Sequence, residues 1–193
     1  AILRSESGYP YLMFADNVNR FHANSHISMV KFSNLCSEVL QSSKVSTYTD
    51  YGEEDEIGLD ISCNLGSINI FNVMKNGSIK NTVKLAIDAL THVSNKTNIT
   101  NAPAVAKANK LMRSVGLGAM NLHGFLAQNG IAYESEEARD FANTFFMMMN
   151  YYSLGRSMEI AKETGETYYQ FEGSTYKSGE YFKKYEEQSF SPK

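Results

Sequence analysis

The residues best suited to chemistry lie between positions 33 and 39, in the sequence SNLCSEV. An amide, a thiol and a carboxylate, those of Asn34, Cys36 and Glu38, occupy every second position there. In an extended segment, alternate side chains point to one side and lie roughly 6 to 7 Å apart. In a helix, Cys36 would face away from the other two. As a strand or loop tip, the segment offers a hydrogen-atom or nucleophile donor beside a proton acceptor and a polar anchor.

The same alternation predicts that Leu35, Ser37 and Val39 face the protein. Plainer interpretations exist for the polar residues. A free cysteine is commonly a small buried hydrophobe, a lone glutamate a solvated acid, and a loop asparagine a backbone cap. The flanking amide and carboxylate favour chemistry at Cys36. The other thiol, Cys63, lies in the sequence DISCNLGS, and both a core role and a redox role stay open for it.

Composition limits the class of protein. A chain of 193 residues with 42% hydrophobic residues can form one domain with a core. The net charge of −3 predicts no nucleic-acid surface, and no apolar run approaches the roughly 18 residues of a membrane span. No signal peptide is recognisable, and two cysteines do not make a disulfide scaffold, so we expect an intracellular, cytoplasmic setting. The first residues lack a helix cap or strand boundary, which indicates a piece of a longer chain.

These residues must be positioned by an α/β framework. Strands are expected over residues 9–14 (YPYLMF, buried), from 59 to about 65, and over 115–118. Helices are expected after the Asn76-Gly77 turn with Ser78 as N-cap, over 105–113, over 120–128, and from Ser135 to about Thr164 before Gly165. Irregular structure is expected over 16–32, 41–57 and 99–104, and short helical turns and loop over 166–193.

Four stretches carry a family resemblance. They are GYPYLMF (8–14), NLCSEV (34–39), DISCNLGSIN (60–69) and VGLGAMNLHG (115–124). In these motifs, their order and their spacing, the chain resembles the middle of the large catalytic subunit of class I ribonucleotide reductases, most closely class Ib. The likeness covers nearly the whole chain and is weakest after about Gly173. It implies that residues 1–193 are the central part of a ten-stranded α/β barrel made of two half-barrels, with the thiol motif on an inner finger loop.

The resemblance also implies roles for single residues. Cys36 would be the thiyl radical that removes and returns the C3′ hydrogen of a ribonucleoside diphosphate, since S–H and C–H bonds of this kind are similar in strength. Glu38 would take the 3′-hydroxyl proton, and Asn34 would hold a substrate hydroxyl. Residues 34–38 (Asn34, Leu35, Cys36, Ser37 and Glu38) would contact substrate. Cys63 would form a disulfide with a cysteine upstream of this segment.

Partners follow from the same resemblance. They are a radical-generating small subunit with a dimetal–tyrosyl centre, a thioredoxin- or glutaredoxin-like reductant, and a second large subunit. Nucleotide effectors would bind elsewhere in the subunit, and this segment itself is expected to bind no cofactor or metal. His22 and His26 have i, i+4 spacing, but Asn24-Ser25 disfavours a helix between them. Gly116 and Gly118 lack the rest of a dinucleotide fingerprint and favour close strand packing.

Other interpretations remain open at this stage. The chain could be a non-catalytic fragment of an interrupted or truncated gene that acts only when assembled with the rest of a subunit. It could also belong to a thiyl-radical reductase class that uses cobalamin or a glycyl radical. Tyr151-Tyr152 superficially matches the tyrosine pair that the family uses for radical transfer. Its place in a Phe- and Met-rich helix favours core packing instead.

Overall fold

A computed structural model describes residues 2–186, which divide into two compact units. The first contains residues 2–61 and 170–186, and the second contains residues 62–169. The second unit holds two strands and five helices. These features agree with the α/β class that the sequence predicts.

The second unit is built around a pair of parallel strands, β1 (Asn64–Asn69) and β2 (Val115–Met120). Asn64 pairs with Val115 and Asn69 with Met120, in continuous register. Gly116 lies opposite Leu65, and a Cβ on this glycine would come within 2.5 Å of Leu65 Cδ2. The expectation that a glycine here permits close packing is therefore confirmed.

Five helices complete the second unit. They are α3 (Ile70–Asn76), α4 (Ile79–Lys96), α5 (Pro103–Met112), α6 (Leu122–Gln128) and α7 (Glu136–Thr164). The predicted caps are confirmed at both long helices, because Ser78 accepts a hydrogen bond from Asn81 N–H and Ser135 accepts one from Ala138 N–H. Gly165 ends α7 in the left-handed conformation, at φ 71°.

The core of this unit lies between the strand pair and helices α3, α4 and α7. Its buried members are Ile68, Ile70, Val73, Val83, Phe145 and Met149. On the outer side, Arg156 of α7 bonds Asp88 of α4 at 2.6 Å and Glu163 at 2.7 Å. These hydrogen bonds, with Glu163 the larger contributor, raise the pKa of Arg156 above its usual value. The apolar core and this ion network together fix α4 against α7.

The first unit contains short helices and long loops. Its helices are α1 (Ile2–Ser7), α2 (Ala15–Phe21), α8 (Thr175–Ser178) and α9 (Lys183–Glu186), with 3-10 turns at Phe171–Gly173 and Glu180–Phe182. The short turns predicted after residue 166 are confirmed as far as residue 186, and residues 187–193 lie outside the described part. Isolated antiparallel bridges join Lys44 to Leu59 and Thr47 to Glu56.

Several predicted boundaries are wrong. Residues 9–14 form no strand and are largely exposed, and residues 15–21 form helix α2 where irregular structure was expected. The strand expected from residue 59 begins only at Asn64 and continues through Gly66. Apolar runs such as YPYLMF are ambiguous because a short run carries no periodicity of its own. Glycine does not interrupt β1 because the ladder uses backbone groups that glycine retains.

Candidate active site

The thiol motif forms a tight turn in the first unit. Ser37 N–H donates to Asn34 O at 3.1 Å, and Ser37 adopts the left-handed conformation at φ 70°. The side-chain oxygen of Asn34 accepts a hydrogen bond from Val39 N–H at 3.0 Å and closes the loop. The segment is therefore the loop tip allowed by the sequence and not a strand.

This turn changes which side chains face solvent. Cys36 and Glu38 are exposed at the tip, and Val39 is buried at 5% exposure. The prediction that Leu35 and Ser37 face the protein is wrong, since Leu35 is 82% exposed and Ser37 is exposed as well. The left-handed residue reverses the chain, so the two-residue alternation of an extended segment does not hold. A thiol and a carboxylate two residues apart remain accessible on one tip.

The base of the loop is held by side chains of residues 22–28. His22 Nε2 bonds the carbonyl oxygen of Leu40 at 2.9 Å. Ser28 Oγ donates to Ser43 O at 3.0 Å, and the buried Ser42 hydroxyl lies within hydrogen-bonding distance of Ser28 O at 3.1 Å. These contacts fix the residues that follow the thiol motif.

Tyr9 and Tyr11 form a feature near the thiol that the sequence analysis missed. Their rings stack with centroids 5.1 Å apart, on either side of Pro10. A hydrogen bond with Tyr9 raises the pKa of Tyr11, and partial desolvation and the nearby Cys36 raise it further. Two tyrosines on either side of a proline are the sequence signal for this pair. The prediction of a buried strand over residues 9–14 did not take that signal into account.

Cys63 lies in the second unit, directly before β1, and its side chain is exposed. The residues on either side of Cys63 are less exposed than Cys63 itself. Ser62 is buried at 6% exposure, and Ser62 and Asn64 both bond the side-chain oxygen of Asn109, at 2.8 Å and 2.9 Å. Both Cys36 and Cys63 are free thiols. Asn34, Cys36 and Glu38 thus share one loop, and Cys63 belongs to the other unit.

His22 and His26 have identifiable structural contacts. His22 bonds Leu40, and His26 Nε2 bonds the carbonyl oxygen of Gln170 at 2.8 Å. Among residues 2–186, no group of three or more histidine, cysteine, aspartate or glutamate side chains could hold a metal ion. Within the same range, no helix is both long and apolar enough to cross a membrane.

Comparison with known proteins decides the family. The family model of the ribonucleotide reductase barrel domain matches residues 2–192. The chain belongs to the ribonucleotide reductase family. This membership confirms the resemblance drawn from the four sequence motifs, and it identifies the α/β fold as part of that barrel domain.

Curated ribonucleotide reductase relatives agree. A ribonucleoside-diphosphate reductase subunit alpha from Bacillus subtilis (strain 168) is 76% identical over 193 residues, which are 100% of this chain and 28% of the relative. The corresponding subunit of Mycoplasma pneumoniae is 46% identical over 186 residues, 96% of this chain and 25% of the relative. That of Treponema pallidum is 31% identical over 192 residues, 93% of this chain and 22% of the relative. The chain therefore spans about a quarter of the length of these reductase subunits.

Proposed function

We propose that this chain is the central segment, residues 1–193, of the large subunit of a ribonucleoside-diphosphate reductase, and that it carries the radical thiol. The observation that carries the proposal is the exposed turn that presents Cys36 and Glu38 two residues apart. Family membership and the reductase alpha subunits it matches support the same assignment. In the full protein, the reaction is the reduction of ribonucleotides to 2′-deoxyribonucleotides for DNA synthesis.

Cys36 is the hydrogen-atom carrier in this proposal. As a thiyl radical, it takes the C3′ hydrogen of the substrate, which forms an S–H bond and leaves a carbon radical at C3′. That radical makes the 2′-hydroxyl a far better leaving group, and it departs as water with a proton that the Cys63 thiol pair supplies. At the end of the cycle, Cys36 returns the same hydrogen to C3′. The exposure of the thiol at a loop tip suits it to reach a ribose.

Glu38 and Asn34 handle the hydroxyl groups. Glu38 is exposed on the same tip, accepts the proton that the 3′-hydroxyl loses as the radical forms, and returns it when C3′ regains its hydrogen. The Asn34 side-chain oxygen is already bonded to Val39 N–H, so its amide NH₂ is the group that donates to substrate. Leu35 and Ser37 complete the substrate contacts in this proposal, and their exposure at the tip is consistent with that role.

Cys63 supplies reducing equivalents. Loss of the 2′-hydroxyl consumes two electrons and two protons, which one thiol cannot deliver. Cys63 and a cysteine upstream of this segment lose their hydrogens together and form a disulfide. A thioredoxin- or glutaredoxin-like protein then reduces it. The exposed position of Cys63 before β1 allows such exchange.

The remaining assignments concern the full subunit. The parallel pair β1 and β2 belongs to a ten-stranded barrel, with the turn around Cys36 as its inner finger loop. A small subunit with a dimetal–tyrosyl centre generates the radical, and the large subunit forms a homodimer with nucleotide-effector sites outside this segment. The segment itself binds no cofactor, and the enzyme acts in the cytoplasm.

A segment exchange tests the proposal. Residues 1–193 would replace the matching stretch of the Bacillus subtilis alpha subunit, which is 76% identical over 193 residues. With its small subunit, a reductant and a ribonucleoside diphosphate, the hybrid is expected to form deoxynucleotide at a rate similar to the parent. A hybrid that is folded and binds substrate but is inactive would contradict the proposal and favour a non-catalytic fragment.

A further inference from the structure

A buried polar cluster adjoins the backbone on both sides of Cys63. Ser62 Oγ donates to Asn109 Oδ1 at 2.8 Å, and Asn64 Nδ2 donates to the same oxygen at 2.9 Å. Asn109 lies in α5 and is only 8% exposed. One amide oxygen thus holds both neighbours of the exposed thiol.

Asn109 is itself fixed by the last turns of α4. Its amide nitrogen donates to Ser94 O at 2.9 Å, and Ser94 Oγ donates to Asn109 Oδ1 at 3.1 Å. Ser94 is 6% exposed, so this side of the cluster is buried. A buried network with its polar groups paired is rigid, because breaking one bond leaves the other partner unsatisfied. Asn109 therefore connects the start of β1 to two helices.

The arrangement determines where the Cys63 side chain points. Successive side chains of an extended chain alternate in direction. Ser62 and Asn64 both reach the buried Asn109, so the side chain between them is turned to the opposite side. That side is solvent, as the exposure of Cys63 shows. A disulfide requires Cβ atoms roughly 3.5 to 4.5 Å apart, and a thiol on an unfixed loop would satisfy this requirement for only part of the time.

We propose that Asn109 is a positioning residue that fixes Cys63 for thiol–disulfide exchange. The inference rests on the redox role of Cys63 in the proposed function. Asn109 gains and loses no electron or proton. The two thiols give two hydrogens to the ribonucleotide, whose 2′-hydroxyl leaves as water, and the S–S bond forms between them. Asn109 changes only the fraction of time for which Cys63 is in the geometry for that bond.

The test uses a complete large subunit that carries this segment. Asn109→Leu keeps the side-chain size and removes every polar contact. We expect the equilibrium of the Cys63 disulfide with dithiothreitol to shift towards the dithiol by on the order of tenfold, since preorganisation of the thiol is lost. The substrate KM should stay unchanged and kcat should fall. Val83→Ala is the control, because Val83 is fully buried in α4 but belongs to the apolar core of the unit.

A second variant keeps the test decisive if Asn109→Leu fails to fold. Asn64 is half-buried, and Asn64→Ala removes its bond to Asn109 together with a longer one, at 3.3 Å, from Asn64 Nδ2 to Ser62 Oγ. This variant should shift the equilibrium in the same direction by less, because the bond from Ser62 to Asn109 remains. Wild-type equilibria in the folded variants, or an equal shift in Val83→Ala, would overturn the positioning role. If the wild-type subunit forms no Cys63 disulfide during turnover, the redox step of the proposed function fails instead, which is a distinguishable result.

Discussion

His22 Nε2 donates a hydrogen bond to the carbonyl oxygen of Leu40 at 2.9 Å, four residues after Cys36. The direction follows from chemistry, because a carbonyl oxygen can only accept. His22 Nδ1 accepts a hydrogen bond from Asn24 N–H at 3.2 Å. The ring is therefore the neutral tautomer with its proton on Nε2. Burial lowers the pKa of His22, and the neighbouring His26 acts in the same direction.

This relationship predicts a pH dependence of the thiol loop. The folded pKa of His22 lies below the unfolded value of 6.5, so the neutral form is favoured by folding. The contribution of neutral His22 to the free energy of unfolding is complete above pH 6.5 and is lost as the pH falls from 6.5 through the folded pKa. The reason is that a proton on Nδ1 would oppose Asn24 N–H. Hydrogen exchange of residues 33–43 in the complete subunit, corrected for intrinsic rates, should accelerate on acidification. His22→Gln keeps a donor for Leu40 without titrating and should remove this dependence, and an unchanged dependence in that variant would contradict the assignment.

Asn34 can be tested for its two roles separately. Asn34→Asp keeps an oxygen acceptor for Val39 N–H and loses the amide NH₂, whereas Asn34→Ala loses both. We expect Asn34→Asp to keep slow hydrogen exchange at Val39 but to raise the substrate KM and lower kcat. Asn34→Ala should lose the exchange protection as well. Near-normal turnover of Asn34→Asp would show that Asn34 only closes the loop.

Glu38→Gln tests the role of the carboxylate independently of the Cys36 thiol. The substitution keeps the shape of an exposed side chain and removes the base. We expect deoxynucleotide formation to slow on the order of 10²-fold or more, the usual scale for general acid–base catalysis. Steady-state kinetics with a saturating ribonucleoside diphosphate would measure this loss. Wild-type turnover in this variant would make Glu38 a solvated bystander.

Cys63 should be oxidised during turnover, and its partner should be an upstream cysteine and not Cys36. The reason is that Cys36 is committed to hydrogen-atom transfer. Mass spectrometry of the complete subunit after one turnover without reductant should find Cys63 in a disulfide with a cysteine outside this segment. Residues 1–193 alone should have no reductase activity. An active preparation of this segment alone would imply that Cys36 and Cys63 are the redox pair.

Local signals in the sequence were sufficient where they determine backbone geometry directly. Ser135 and Gly165 define the ends of α7 because a hydroxyl satisfies the first amides and a glycine adopts the left-handed conformation at little cost. Ser78 likewise defines the beginning of α4. The beginning of β1 was less predictable, because Ile61 and Cys63 continue the alternation of the strand without belonging to it.

At the candidate site too, the sequence predicts the residues but not the geometry that they adopt. Residue types identified Asn34, Cys36 and Glu38 as a group, but the left-handed Ser37 that shapes the turn carries no sequence signal, since serine is rarely found in this conformation. The contact of Asn109 with both neighbours of Cys63 joins residues 45 and 47 positions apart. Such long-range pairing depends on tertiary packing, which sequence spacing does not reveal.

The central claim is that Cys36 carries the hydrogen atom, and Cys36→Ser tests it most directly. Oxygen resembles sulfur in shape, but its O–H bond is too strong for exchange with C3′. The measurement is deoxynucleotide formation by the complete subunit with its small subunit and dithiothreitol, alongside substrate affinity by equilibrium binding. The account predicts no detectable deoxynucleotide with nearly unchanged affinity. Measurable deoxynucleotide formation by Cys36→Ser would contradict it.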